Sequence, residues 1–490
     1  MQLNNLVLDN NEKQNLVKCF KEQITHENFR LHLTLSKTFC SSSEYALIYM
    51  DTWFLVISET DNFLQLEVNL IEEIISRSSL LVTTEIEVYK AVDKWINFNF
   101  KERVKFAKRL LHKIRLPLLA ERTLKTTLTE KNCFRENKDS LAVVNDILKG
   151  NFDFYRNKPS KFFTARYCGH DSFNILYFGG YDKNIKNACK TVNDKILQIQ
   201  HSDGYKNPKI VSSVAEKRFD SKVVYLKGNV FIFGGFESKV DYSNGRVRNM
   251  VKQVELYSHR TKTCKIVANI EDINDQELCC YDLCGFMDKI YLIGGYDKEE
   301  FELDSCIEFD TNDYSWRHKS NMIERREDPA ACVFEEKIIV SGGIQYADDD
   351  FVNFVNFWDE INNRTLSTVE AYDPIDDTWS DFPAMNYSRC CHKSLVVKSK
   401  LFVIAGGTNI NEVYDSTSKK FAVLKPPLDL YNMRVSFLFA AFNVCHNVFV
   451  YFNGLSNILC FDTIKGKWYE KPSEPTEHLT SFSAIQVPRL

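Results

Sequence analysis

Five times the chain runs an apolar strand into a diglycine: ILYFGG at 175–180, VFIFGG at 230–235, IYLIGG at 290–295, IIVSGG at 338–343 and VIAGG at 403–407. A sixth copy, VFVYFNG at 448–454, keeps one glycine. The first-glycine intervals are 55, 60, 48 and 64 residues, then 47 to Asn453. Self-similarity at this period is the signature of a toroid of repeated β-modules, in which no single module buries its apolar face alone. Strands that are apolar on both faces fit a sheet sandwiched between two others. Glycine pairs at their ends permit positive φ and close backbone approach. Four short strands per unit and six units predict a six-bladed β-propeller.

A second landmark follows the diglycines. An acid precedes an aromatic, and another bulky residue lies seven beyond it: Glu255 and Tyr257 to Cys264, Phe309 to Trp316, Glu370 and Tyr372 to Trp379, Glu412 and Tyr414 to Phe421, Phe461 to Trp468. In the Phe309 copy the acid, Glu308, sits one residue before the ring rather than two. Next comes a loop bearing an arginine (Arg218, Arg326, Arg389, Arg434) and then a second apolar strand. No clear acid–aromatic pair follows Gly180, so the first blade is expected to be irregular. Closing the ring needs a strand from one terminus to complete a blade from the other, and Ser481–Val487 is the candidate.

Upstream the period changes. Val88, Ala91, Val92, Trp95 and Ile96 form a helical stripe behind a Thr84–Glu87 capping box. Phe63, Leu66, Leu70, Ile71, Ile74 and Ile75 form another, and Phe106, Leu110, Leu111 and Ile114 a third that Pro117 stops. The expected organisation is an N-terminal segment over 1–22, an all-α domain over 23–130, a polar linker over 131–160 with a short helix near Leu141–Leu148, and an all-β propeller over 161–490. A net charge of −4 gives no footprint for nucleic acid. Met1 opens no signal-peptide pattern, and no apolar run approaches the roughly 20 residues that span a bilayer. The 15 cysteines then read as reduced thiols. Cys279, Cys280 and Cys284 cluster without CxxC spacing, so packing is favoured there over zinc. A redox role for Cys279–Cys280 or Cys390–Cys391 would need a lowered thiol pKa.

The strand–Gly–Gly units, Glu370-Ala-Tyr372-Asp373, Glu412-Val-Tyr414-Asp415 and the spaced Trp379 and Trp468 resemble Kelch repeats. FLQL at 63–66, Glu87–Trp95 and Ile114–Leu119 resemble a BACK domain. Together they are similar to the Kelch-like family over roughly 24–487, in which a BTB domain precedes BACK. Residues 1–22 are read as a remnant of that domain, and Asn28–Cys40 as the helical stretch leading into BACK. The resemblance implies a non-enzymatic adaptor, cytoplasmic and in some members cytoskeletal or nuclear. Its propeller would hold a client protein, with the N-terminal helices on a cullin scaffold of a ubiquitin ligase. Alternatives within the family pattern are an actin-associated scaffold, or a decoy that holds clients without recruiting ligase. No cofactor or metal is implied, and no catalytic motif stands out.

Client contacts carried over by position fall on two loop sets at one end of the ring. The post-glycine set is Tyr181, Asp182, Phe236, Glu237, Tyr296, Asp297, Ile344, Gln345, Thr408 and Asn409. The second set is Arg218, Asp220, Arg326, Asp328, Arg389 and His392, whose guanidiniums could grip acidic client side chains or form salt bridges around the rim. Enlarged post-glycine loops span 238–252 and 346–363, the latter with Phe351, Phe354, Phe357 and Trp358 as a contact patch or a cap on the ring.

Overall fold

A computed structural model describes residues 23–39, 44–129, 133–149, 166, 173–182, 192–200, 209–237, 250–270, 278–297, 301–345, 364–397, 399–406, 410–424, 438–444, 447–452, 457–472, 479–480 and 483–488. The chain divides into two compact units, Met1–Gly169 and His170–Leu490.

The first unit is helical. Its main helices are α1 (Phe29–Phe39), α2 (Glu44–Ile57), α3 (Asp61–Leu64), α4 (Val68–Ser76) and α5 (Glu85–Phe98). They are followed by α6 (Phe100–Arg103), α7 (Ala107–Leu111), α8 (Glu121–Thr129) and α9 (Lys138–Leu148). The predicted stripes are its core: Ile71, Ile74, Ile75, Val88, Val92, Trp95, Leu110 and Ile114 are buried. Trp95 keeps its polar edge satisfied by donating from Nε1 to the Leu66 carbonyl at 3.0 Å. Glu87 starts α5 as its position predicts, accepting from the Thr83 and Thr84 amides at 2.7 and 3.3 Å.

The polar composition after residue 130 suggested a linker, and the structure corrects this for residues 133–149. Helix α9 is longer than expected and buries Ser140, Val144 and Ile147, with Cys133 and Phe134 buried just before it. Its polar residues are the outer face of an amphipathic helix whose inner face packs on α7 and α8. Arg166 is tied to the same unit. It donates from Nε and Nη2 to the two Glu85 oxygens at 2.7 and 2.6 Å, and from Nη1 to the carbonyls of Ile75 and Arg77 at the end of α4.

The second unit is a six-bladed propeller of four-stranded antiparallel sheets. Blade two, for example, comprises Lys222–Leu226, Asn229–Phe233, Gln253–Ser258 and Thr263–Asn269 from axis to rim. Blades three to six begin at Asp282, Ala330, Lys393 and Leu438, and their innermost strands neighbour one another around a closed circle. The C-terminal strand Ser483–Pro488 is the innermost strand of blade one, in register with Phe173–Phe178 from Phe178↔Ser483 to Phe173↔Pro488. The expected closing strand therefore forms. Blade one has its full four strands, with a register shift at Ile196/Leu197 as its irregularity.

Side chains from facing sheets fill the wedges between blades. Phe231, Phe233, Leu283, Leu292 and Phe309 pack between blades two and three, and Phe402, Ile404, Val448, Val450 and Phe461 between five and six. The seven-residue interval from ring to bulky residue is the third-to-outer hairpin, which pairs Tyr257 with Cys264, Phe309 with Trp316, Tyr372 with Trp379, Tyr414 with Phe421 and Phe461 with Trp468.

Candidate functional site

The diglycine end of the propeller is built around a repeated arginine. Arg218, Arg326 and Arg389 each lie four residues before an innermost strand and are 0% exposed. Each guanidinium donates from Nη1 to the carbonyl at the first diglycine position of its own blade: Gly234 at 3.0 Å, Gly342 at 2.8 Å and Ala405 at 2.7 Å. Each Nη2 pairs with the acid two before the third-strand ring: Glu255, Glu370 at 2.7 Å and Glu412 at 2.6 Å. The backbone of the same arginine serves the preceding blade, where the amides of Gly180, Gly295 and Gly343 donate to the Arg218, Arg326 and Arg389 carbonyls at 2.8–2.9 Å. The arginine is thus a staple between adjacent blades.

The glutamates are equally committed. Glu255, Glu370 and Glu412 accept from the loop amides of Ala215, Ile323 and Asn386 at 2.6–2.8 Å. Burial lowers the pKa of Arg218 and Arg389, and the paired glutamate opposes it. These bonds offset the desolvation of the buried charges. Of the two readings of these arginines, the structure overturns client contact and leaves the salt bridge: Arg218, Arg326 and Arg389 are 0% exposed and present no guanidinium to a client. His392 is corrected with them. It is buried, its Nε2 is 2.8 Å from Ser341 Oγ, and burial with the neighbouring Arg389, Lys393 and Arg326 holds its pKa well below the ordinary range.

Blade three breaks the pattern in a way that explains its displaced acid. Its register puts Ile307, not Glu308, two before the ring, and Leu278, not arginine, four before the innermost strand. Leu278 and Ile307 are both buried in one apolar cluster, while Glu308 accepts from the Tyr291 hydroxyl at 3.1 Å. Both members of the ion pair are replaced together.

The fifth diglycine is also out of phase with its sequence. Ala405 (φ 61°) and Gly406 (φ 90°) occupy the places held by Gly342 and Gly343 in blade four, so the structural pair begins one residue before the written one. A carbon at Gly342 would overlap the Arg389 carbonyl, which shows how closely the next loop crosses.

The remaining expected contacts divide. Phe236 is buried with Val192, Phe219 and Cys279 in an apolar cluster that Met250, Cys280 and Tyr296 flank. Glu237 and Asp220 are exposed; Asp297, Asp328 and Gln345 are half-buried, and Ile344 is buried. Tyr181 and Asp182 form a short strand paired with Leu479–Thr480. Thr408, Asn409, Phe351, Phe354, Phe357, Trp358 and Arg434 lie outside the described residues.

Sequence reasoning missed the neighbours of the arginines. Ile323 and Tyr387 are 58% and 41% exposed on the same loops, and Phe301, on the post-glycine loop of blade three, is 59% exposed. A signal for them exists in the repeats. Arginine recurs at one register, while the residues around it differ: Ala215, Glu216 and Lys217 against Ile323, Glu324 and Arg325 against Asn386, Tyr387 and Ser388. The recurring residue builds the ring; of the varied ones, Ile323, Arg325 and Tyr387 are exposed, while Glu324 bonds Arg326 and Asn386 bonds Glu412.

Among the described residues, no helix is long and apolar enough to cross a membrane. The family model described as "BACK: BTB And C-terminal Kelch" matches residues 32–129, and "Kelch motif" matches 325–386. Kelch-like protein 7 of Rattus norvegicus is 24% identical over 416 residues, covering 76% of this chain and 58% of the relative. Kelch repeat and BTB domain-containing protein 12 of Homo sapiens is 22% identical over 364 residues, covering 73% and 55%. Kelch-like protein 28 of Mus musculus is 23% identical over 273 residues, covering 55% and 43%. The chain spans about half the length of the curated relatives it matches. With matching helical and repeat regions, in that order, on helices and propeller blades, the chain is similar to proteins of the Kelch-like family.

Proposed function

We propose that this protein is a non-enzymatic interaction adaptor whose propeller holds a client protein at the diglycine end. The observation that carries the reading is the separation of labour within each arginine loop. Buried staples fix the backbone, and exposed Ile323, Arg325 and Tyr387, with Phe301 nearby in sequence organisation, supply variable chemistry on a preorganised frame. Exposed apolar side chains among charges are the composition of a protein-binding surface. The client is then handed to a ubiquitin ligase, with α1 on a cullin; Leu31, 58% exposed on that helix, is the apolar contact.

The test is proximity labelling and co-purification with the full chain and with Phe301→Ala/Ile323→Ala/Tyr387→Ala, alongside Leu31→Asp. The triple variant should lose client proteins at unchanged thermal stability, and Leu31→Asp should lose cullin alone. An unchanged set of partners in the triple variant would overturn the client site. Cosedimentation with actin at wild-type strength, without cullin recovery, would replace the ligase reading with a scaffold.

A further inference from the structure

Four consecutive blades place a residue of positive φ two before the innermost strand: Asp220 (52°), Cys280 (52°), Asp328 (48°) and Cys391 (51°). Carboxylate and thiol alternate around the mouth of the central channel. The backbone ties three of them together, since the Asp328 amide donates to the Cys280 carbonyl at 2.8 Å and the Cys391 amide to the Asp328 carbonyl at 3.2 Å. The side chains of Cys280, Asp328 and the neighbouring Glu327 converge, and Cys391 borders them through Asp328. Cys280 Sγ and one oxygen each of Glu327 and Asp328 lie within 4.8 Å of one another, and Cys391 Sγ is 3.4 Å from Asp328 Oδ2. None of these groups belongs to the arginine–glutamate staples.

We propose that Cys280, Asp328 and Glu327 form the core of a binding site for a single thiophilic divalent cation of the zinc class, with Cys391 drawn in beside Asp328 as the fourth ligand. Zinc takes thiolate at about 2.3 Å and carboxylate oxygen at about 2.0 Å, so the sulfur–oxygen edge of a tetrahedral site is about 3.5 Å. The Cys391–Asp328 separation matches that edge. The ligands come from loops preceding blades three, four and five, so a bound ion cross-links three blades at their point of convergence.

The groups facing the site are themselves charged or buried. Burial, then the Asp328 and Glu327 carboxylates, push the Cys280 thiol well above its ordinary pKa. The Cys391 thiol is raised by Cys390, burial and Asp328. Lys222 faces the same cluster: burial would lower its pKa, but Asp282, Asp328 and the two thiols outweigh it. Lys393 is taken up by Asp282 at 2.8 Å.

The experiment titrates cadmium, then zinc, into the chelator-treated full chain, reading the thiolate-to-cadmium ultraviolet charge-transfer band and the melting temperature. The expected result is a single-site band, a metal-dependent rise in melting temperature and a loss of affinity of more than about tenfold in both Cys280→Ser and Cys391→Ser. Cys264→Ser, whose thiol donates to Glu255, should bind as wild type. Absence of binding by the wild type, or equal binding by Cys280→Ser and Cys391→Ser, overturns the site. Metal-free melting temperatures matching wild type in both variants keep loss of binding distinct from loss of fold.

Discussion

Leu278 packs in the same apolar cluster as Ile307, at the two positions that an arginine and a glutamate fill in blades two, four and five. One protein thus contains two solutions to the same junction. The ionic one is paired and bonded to backbone; the apolar one needs no desolvation of charge.

This juxtaposition predicts strong coupling. Arg389→Leu leaves Glu412 buried without its cation and should destabilise the propeller by roughly 3–5 kcal/mol. Adding Glu412→Ile should recover part of that loss, because the charge is gone while the Asn386 and Tyr387 amides lose their acceptor. Denaturant unfolding of the singles and the double gives the coupling energy. A double as unstable as the sum of the singles would contradict it.

Adjacent arginines should behave oppositely. Arg325 is exposed, whereas Arg326 is fully buried against Gly342 and Glu370. Arg325→Glu should change client recovery and leave the unfolding free energy within about 0.5 kcal/mol of wild type, as surface substitutions do. Arg326→Gln should lower stability first. Calorimetry beside co-purification separates the two.

Gly342→Ala should cost at least about 2 kcal/mol, since alanine would hold φ +57° and meet the Arg389 carbonyl and the His392 ring. Circular dichroism melts against wild type test this. A neutral effect would mean that the blade four–five junction yields more readily than its contacts indicate.

His392 gives a pH signature. Its folded pKa lies well below 6.5, the ordinary value, so the unfolded chain binds the proton more readily. Its contribution is complete above pH 6.5 and is lost as pH falls toward the folded pKa. His392→Gln should therefore flatten the fall in melting temperature between about pH 7 and 5, above the range where carboxylates dominate. A parallel pH profile for the variant would exclude the role.

In the helical unit, Arg166→Ala removes the cation bonded to both Glu85 oxygens and to the end of α4. A loss of about 3–5 kcal/mol is expected in that unit's unfolding transition. Hydrogen exchange should show it as lost protection in α4 and the first turn of α5. Unchanged protection there would sink the assignment.

What could be read in the sequence was whatever repeats locally. Alternating apolar strands, the seven-residue hairpin and the glycine pairs announced the blades, and Ser481–Val487 was recognisable as the closing strand because an incomplete ring needs one. The helical stripes around Trp95 and Ile74 were legible for the same reason: a period is a local property. The polarity of 133–149 misled because one face of α9 is solvated while the other carries Val144 and Ile147 inward. The arginines misled more instructively, since a charged residue in a polar loop looks exposed until its partner is placed.

Periodicity and turn chemistry, acting over a few residues, specify the propeller, the helices and their order. Which charges are buried and which side chains face outward follows from contacts made through space. Arg326 and Glu370 lie far apart along the chain and meet because third strands and arginine loops converge at one end of each blade. Closure likewise brings Cys280, Asp328 and Cys391 to one mouth from three separate loops. Such meetings depend on distances through space that no local pattern encodes.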